Sequence, residues 1–268
     1  MVALTDLDVH QRAKGRTHAA FARTARGPVL RDLYQQGSAK VIILPGPEAV
    51  FLNTSGGLTG GDRLSYSATI GPGVYLTATT QTAERAYRSQ SGQAQLGVSF
   101  EVGAGAHLDW LPQETILFDR ANLRRRTVIT LGAGASCLMA ESVVLGRAAM
   151  GETVQRLDFH DWREVRRGDT PLHLEALTLS DARLRSQAAG LAGMRAFASV
   201  VLVAEGAADK LDAVRAALDN PDVRGAASAL PGRLMLRLMA PDGWPLRQQM
   251  VRALNVLRHR PLPRVWQC

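Results

Sequence analysis

Along much of the chain, apolar and polar residues alternate with a period of two. Leu64, Tyr66, Ala68 and Ile70 share one side of such a run. Leu96, Val98, Phe100 and Val102 share one side of another, opposite Gly97, Ser99 and Glu101. Alternation of this kind sends successive side chains to opposite faces of a half-buried β-strand. Residues 16–23, 40–44 and 74–80 also read as strands. From about residue 196 the texture changes. Residues 197–203 form a continuous apolar run, the pattern of a buried strand, and 208–218 bring Leu211, Val214 and Leu218 onto one helical face that ends at Asn220-Pro221. Residues 234–239 are a further strand. Behind Pro245, at a first-turn position, Leu246, Met250, Leu254 and Leu257 form an apolar helical stripe. The pattern predicts a β-rich body over residues 1–195 and a strand–helix–strand–helix part over 196–268 packed on it.

The body carries a repeat. Gly71-Pro-Gly73, Gly103-Ala-Gly105 and Gly132-Ala-Gly134 recur at intervals of about thirty residues. Each turn lies between strand-like runs and leads to a carboxylate: Glu84, Glu114 and Glu141 in order. A weaker fourth echo runs from Arg167-Gly168-Asp169 to Glu175. Strands stacked at such a period bury a shared core coil upon coil. The expected fold is therefore mainly β, with stacked, β-helix-like sheets and a small C-terminal part carrying two helices. A plain succession of β-hairpins, in which GxG is ordinary turn chemistry, is the alternative.

Composition narrows the function classes. At 46% hydrophobic and 21% charged, the 268 residues belong to the globular range. No apolar run approaches a membrane span, and the first residues lack the basic-then-apolar layout of a signal peptide, so a cytoplasmic protein without membrane attachment is expected. Cys137 and Cys268 form no CxxC pair. The net charge of +8 is almost wholly arginine, and the basic clusters (Arg124-Arg125-Arg126, Arg166-Arg167, Arg258-His259-Arg260) are short and separated. Without interleaved aromatics or a finger spacing they fit acidic protein partners, or a solvated surface, better than nucleic acid.

Candidate chemistry is sparse. His107/Asp109, Asp158/His160 and His173/Glu175 each put an imidazole and a carboxylate on one strand face, a pairing suited to divalent nickel or zinc. No HExxH or CxxC adds further ligands, and a salt-bridged or solvated pair is the simpler reading. Ser142 and Cys137 have no partner in local motif context, and no lysine follows a glycine, which excludes a P-loop. Asp62, after Gly60-Gly61, either caps a turn or offers an oxygen to a passing cation. Glu84, Glu114 and Glu141 come together if the repeat stacks. Buried carboxylates are costly unless paired or wet, so a hydrated passage is expected around them unless arginines such as Arg85, Arg88 and Arg147 neutralise them.

Five ordered blocks carry a family resemblance. SGGLTGGDRL (55–64) followed by TTQTAERAYRS (79–89) resembles the urease accessory protein UreD family, called UreH in some organisms. So do Trp110 to Phe118 (WLPQETILF), Glu141 to Glu152 (ESVVLGRAAMGE) and Leu262 to Trp266 (LPRVW). Residues 153–261 match only loosely. The resemblance implies a β-helix-like stack with a pair of helices. It implies a chaperone-like scaffold, not an enzyme, that joins a helical UreF-like protein and a UreG-like nickel-carrying GTPase on apo-urease. It also implies no tightly bound cofactor, only transient nickel moving inward. Asp62, Glu84, Glu114, Glu141 and Glu152 are the expected carboxylates of that passage. A carbohydrate-active β-solenoid using Asp and Glu as acid and base is the different-class alternative, though such solenoids repeat over more turns.

Overall fold

The computed structural model describes residues 12–185 and 190–267. The chain's first residues, on which the signal-peptide expectation rests, and Cys268 lie outside the described residues. Two hairpins come first, β1 (Lys14–Thr24) with β2 (Gly27–Gly37), and β3 (Ala39–Leu44) with β4 (Glu48–Asn53). Three coils follow. β5 (Arg63–Ile70), β6 (Tyr75–Thr80) and β7 (Glu84–Ala86) form one; β8 (Ala94–Val102), β9 (His107–Leu111) and β10 (Thr115–Leu117) form the next. β11 (Ala121–Leu131) and β12 (Ser136–Leu145) form the third. Strands of successive coils pair in parallel, β5 with β8 and β8 with β11 in one sheet, β6 with β9 and β9 with β12 in the other. This is a mainly β, solenoid-like stack.

The GxG turns set the rungs. The N–H groups of Gly103 and Gly132 each donate to the preceding rung, to the carbonyls of Ile70 and Val102, at 2.7 Å. A Cβ on Gly103 would sit 2.7 Å from the Pro72 nitrogen, and one on Gly132 2.8 Å from that of Ala104. The first glycine of each turn is thus required by close stacking, and the second turns the corner in the left-handed region (Gly105 φ +60°). The fourth echo is different. β13 (Leu157–Arg167) joins the first sheet in parallel, but Gly168 turns it into an antiparallel hairpin with β14 (Thr170–Ser180), which ends the coil.

Between the sheets the alternating residues interdigitate around Phe51, Tyr66, Phe100 and Trp110, whose rings meet at 5.1–6.2 Å between centroids. After the short helix α1 (Asp181–Arg185), β15 (Ala196–Val203) pairs antiparallel with β12 and extends the second sheet. The helix expected at 208–218 is a 3₁₀ turn (Ala207–Lys210) leading into α2 (Leu211–Ala216). β16 (Arg224–Leu230), a strand the apolar pattern does not reveal, pairs with β17 (Arg233–Ala240). The apolar stripe behind Pro245 is α3 (Gly243–Leu257). α2 and α3 cover the outer face of the second sheet through a separate core including Leu138, Val200, Leu236, Met250 and Leu254. The result is three layers, sheet, sheet and helices. Among the described residues no helix is long and apolar enough to cross a membrane.

Candidate functional site

The charged residues between the sheets form one line. On β11, Leu123, Arg125, Thr127 and Ile129 point inward, and on β13 Phe159, Asp161, Arg163 and Val165 do the same. Arg125 donates from Nη1 to Glu141 Oε2 at 2.6 Å. It grips Asp161 with Nε and Nη2, at 2.9 and 2.6 Å. Asp161 also accepts from Arg163 Nε at 2.8 Å, and Arg163 Nη1 reaches Glu175 Oε2 at 3.2 Å. Glu175 then accepts from Ser199 Oγ at 2.7 Å and pairs with Arg237 at 3.0 Å. Burial alone would raise Asp161, but the Arg125 and Arg163 guanidiniums hold its carboxyl below the usual range. Beside this line His173 is 3% exposed. Burial, with Arg233, Arg163 and Arg237 nearby, outweighs Glu175 and pushes it down to about 4, so the imidazole is neutral.

A separate cavity lies at each end of the line. At one end a cavity of about 50 Å³ is lined by Asn53, Gly56, Gly57, Glu84, Arg125 and Glu141, among others. At the other, a cleft of about 890 Å³ between β14, β15, β16 and β17 is lined by Arg163, Glu175, Ser199 and Arg237 with apolar walls.

The five expected carboxylates part company here. Glu84 and Glu141 share the small cavity. Glu114 does not. It belongs to the outer face of the second sheet, in a separate pocket with α3, where Arg247 Nη1 stands 3.6 Å from its Oε2. On the next coil Glu84 pairs with Thr115, which also lines the small cavity, so Glu114, one residue earlier, is out of phase and faces the other way. Asp62 is a brace. Its two oxygens accept from the backbone N–H groups of Ala13 and Thr59, each at 2.8 Å. Glu152 also spends its oxygens locally, on the Asp119 and Arg147 N–H groups and on Arg147 Nε. Glu141 is 1% exposed and saturated, its Oε1 accepting from Trp110 Nε1 and Thr127 Oγ1 at 2.9 and 3.0 Å. Arg125 neutralises it, not Arg85, Arg88 or Arg147.

Glu84 is the exception. It accepts from Asn53 Nδ2, at 3.2 Å, and from the Arg85 backbone N–H, and burial outweighs both bonds and the Arg85 charge to raise it from 4.5 to about 7. The folded protein therefore holds a proton between pH 4.5 and about 7 that the unfolded chain releases, and Glu84's contribution to stability falls as pH rises through that window. Glu84→Gln, which cannot ionise, is expected to melt with the wild type near pH 4.5 and a few degrees above it at pH 8. Calorimetry across that range checks the sign.

The histidine pairs form without completing a ligand set. His107 Nε2 lies 3.0 Å from Asp109 Oδ1 and His160 Nε2 2.9 Å from Asp158 Oδ1, while His173 Nε2 stands 4.0 Å from Glu175. Asp109 is also bound by Arg258 at 3.0 Å. Among the described residues no group of three or more His, Cys, Asp and Glu is placed to hold a metal. Burial and the charge of Asp109 push the Cys137 thiol up to about 12, which leaves it inert. Arg125, Asp161 and Arg163 escape motif reasoning, yet a signal existed. Each occupies a charged position in phase with the apolar residues of its own strand.

Arg125, Glu141, Asp161, Arg163 and Glu175 are each bonded to other side chains of this line, which gives the sheets a charged, ion-paired interior. The model of the UreD urease accessory protein family matches residues 13–267. A urease accessory protein UreD of Cereibacter sphaeroides is 56% identical over 266 residues, 97% of each chain. One of Paracoccus denitrificans is 52% identical over 96% of this chain and 93% of its own. One of Rhizobium leguminosarum bv. viciae is 44% identical over 96% of each. The chain belongs to the UreD family of urease accessory proteins. That includes residues 153–261, where the motif blocks are loose.

Proposed function

We propose that this chain works in the cytoplasm as a scaffold of urease maturation, joining a UreF-like and a UreG-like protein on apo-urease and letting nickel, the cargo, pass inward. The family match across residues 13–267 carries the maturation role. The passage is supported by the ionic line between the sheets, open at one end beside Glu84 and at the other beside Glu175. On this reading Glu84 is the entry carboxylate, since of the two carboxylates on the small cavity its oxygens are the less committed. Its proton gives way to a cation near neutral pH, a weak and reversible capture suited to a conduit. Glu141, Asp161 and Glu175 alternate with Arg125, Arg163 and Arg237, so no point along the line binds a dication tightly. Asp62 holds the glycine loop beside the entrance in place through Thr59, while Glu152 braces a turn away from it. The β-rich body supplies most of the interior, and the C-terminal part completes its far end with Ser199 and Arg237 and supplies the helical outer surface offered to partners.

The assembly part is tested by co-expression. Produced alone, the chain is expected to be poorly soluble, and a UreF-like protein from the same urease operon should rescue it into a complex that retains apo-urease on size exclusion. A monodisperse chain that co-elutes with neither would contradict the scaffold role.

A further inference from the structure

Away from the interior, a groove of about 460 Å³ is lined by Tyr87, Arg88, Phe118, Asp119, Arg120, Arg147 and Glu152. The rings of Tyr87 and Phe118 stack at 4.9 Å and 28°, and the Arg147 guanidinium lies 4.8 Å from the Phe118 ring centre. Both acids of the groove are turned to the backbone. Asp119 accepts from the N–H groups of Gln155 and Arg156 at 2.7 and 2.9 Å, and Glu152 from those of Asp119 and Arg147. Partial burial opposes ionisation at each, yet these bonds and the neighbouring arginines hold both carboxyls below their usual range.

The cations are not spent in the same way. Among the described residues, the exposed Arg88 side chain has no hydrogen bond or ion pair. Arg120 is tied by one contact of 3.7 Å, from Nε to Asp119. Arg147 uses Nε on Glu152 and keeps its terminal nitrogens. The Arg120 backbone is fixed at φ +64°, its N–H donating to the Arg156 carbonyl at 2.7 Å, so its side chain leaves from a held position. The groove therefore presents unspent guanidinium donors around an aromatic floor, and Met150, 72% exposed, stands on the turn that follows Arg147.

We propose that this groove is a docking site for an acidic segment of a partner protein. A carboxylate side chain is clamped among Arg88, Arg120 and Arg147, and an apolar neighbour rests on Tyr87 and Met150. Arginine pairs bidentately with carboxylates, and aromatic residues, Met and Arg are the types enriched where proteins meet. The fixed carboxylates of Asp119 and Glu152 repel a run of phosphates but leave room for one incoming acid. That favours an acidic peptide over nucleic acid. The inference rests on the scaffold reading only for which partners are assayed, and it is independent of the interior passage.

The test uses the full chain in complex with its UreF-like partner, as Arg88→Glu, Arg120→Glu and the double variant, against apo-urease. The separate affinity for the UreF-like protein is measured alongside. Binding is followed by interferometry at low and high salt, with thermal melting as the control for folding. Dissociation of one partner is expected to rise about tenfold or more in the double variant, with a flatter salt dependence and an unchanged melt. Arginine substitution of an acidic residue on that partner should restore binding. Arg88→Glu alone, which breaks no internal contact, should show the same direction if the double variant fails to fold. Wild-type-like affinity of every variant for both partners would overturn the groove while leaving the scaffold role intact. A wild-type chain that binds neither partner would overturn both. An oligonucleotide probe that binds the wild type and is lost in the variants, with protein affinities unchanged, would also overturn it.

Discussion

Arg125→Met is expected to lower the free energy of unfolding by about 3–5 kcal/mol, the range for breaking a buried charge network from one side. Arg125 is 3% exposed and holds two carboxylates, Glu141 and Asp161, with a further bond to Thr115. Methionine fills most of its volume, so the loss is electrostatic. Asp161 keeps Arg163, whereas Glu141 keeps only Trp110 and Thr127 and becomes an unpaired buried charge. For a chain of this length the melting temperature should drop by about 2–4 °C for each kcal/mol. Adding Glu141→Gln should recover part of the loss, because the orphaned charge disappears. Urea titration of the single and double variants, in complex with the UreF-like partner, measures both. A single variant as stable as wild type would show that the line is not holding the sheets together.

Glu84→Gln should separate function from stability. The substitution keeps the shape and the Asn53 contact, and it removes a charge that burial disfavours. The variant should therefore fold at least as well as the wild type at pH 8. If Glu84 receives nickel at the entrance, urease activation at equal expression should fall roughly tenfold, the scale seen when a group that tunes a metal's surroundings is lost. Glu141→Gln cannot make this distinction, because it damages the Arg125 network as well. Full activation by Glu84→Gln would remove the entry role from this residue.

The coiled part of the fold was legible because its physics is local. Period-two alternation fixes which side chains face inward, and the first glycine of each GxG turn is there because it stacks against the preceding rung. The end of the coil was less legible. Gly168 resembles the earlier turns in sequence, and its hairpin is decided by β14 pairing back on β13 rather than by the turn itself. The strand β16 was hidden because its Ala- and Gly-rich run GAASAL has little apolar alternation and borrows its order from β17. At the candidate site, the repeat brought Glu84 and Glu141 to one cavity but could not show that Glu114 is out of phase. The partners of Glu141 come from a strand fourteen or more residues earlier and from other coils, so motif blocks conceal them. Strand phase does not, since Arg125, Asp161 and Arg163 all stand where a hydrophobic residue is expected.

Nickel content of urease is the most direct measure of the central claim. A urease operon lacking the gene for this chain, and the same operon with the gene restored, can be expressed at equal nickel supply, and the purified urease assayed for metal by mass spectrometry. The account predicts assembled urease that is nearly nickel-free and inactive without the chain, and nickel-loaded and active with it. Urease that fills with nickel equally well in its absence would contradict a role in maturation, whatever the interior looks like.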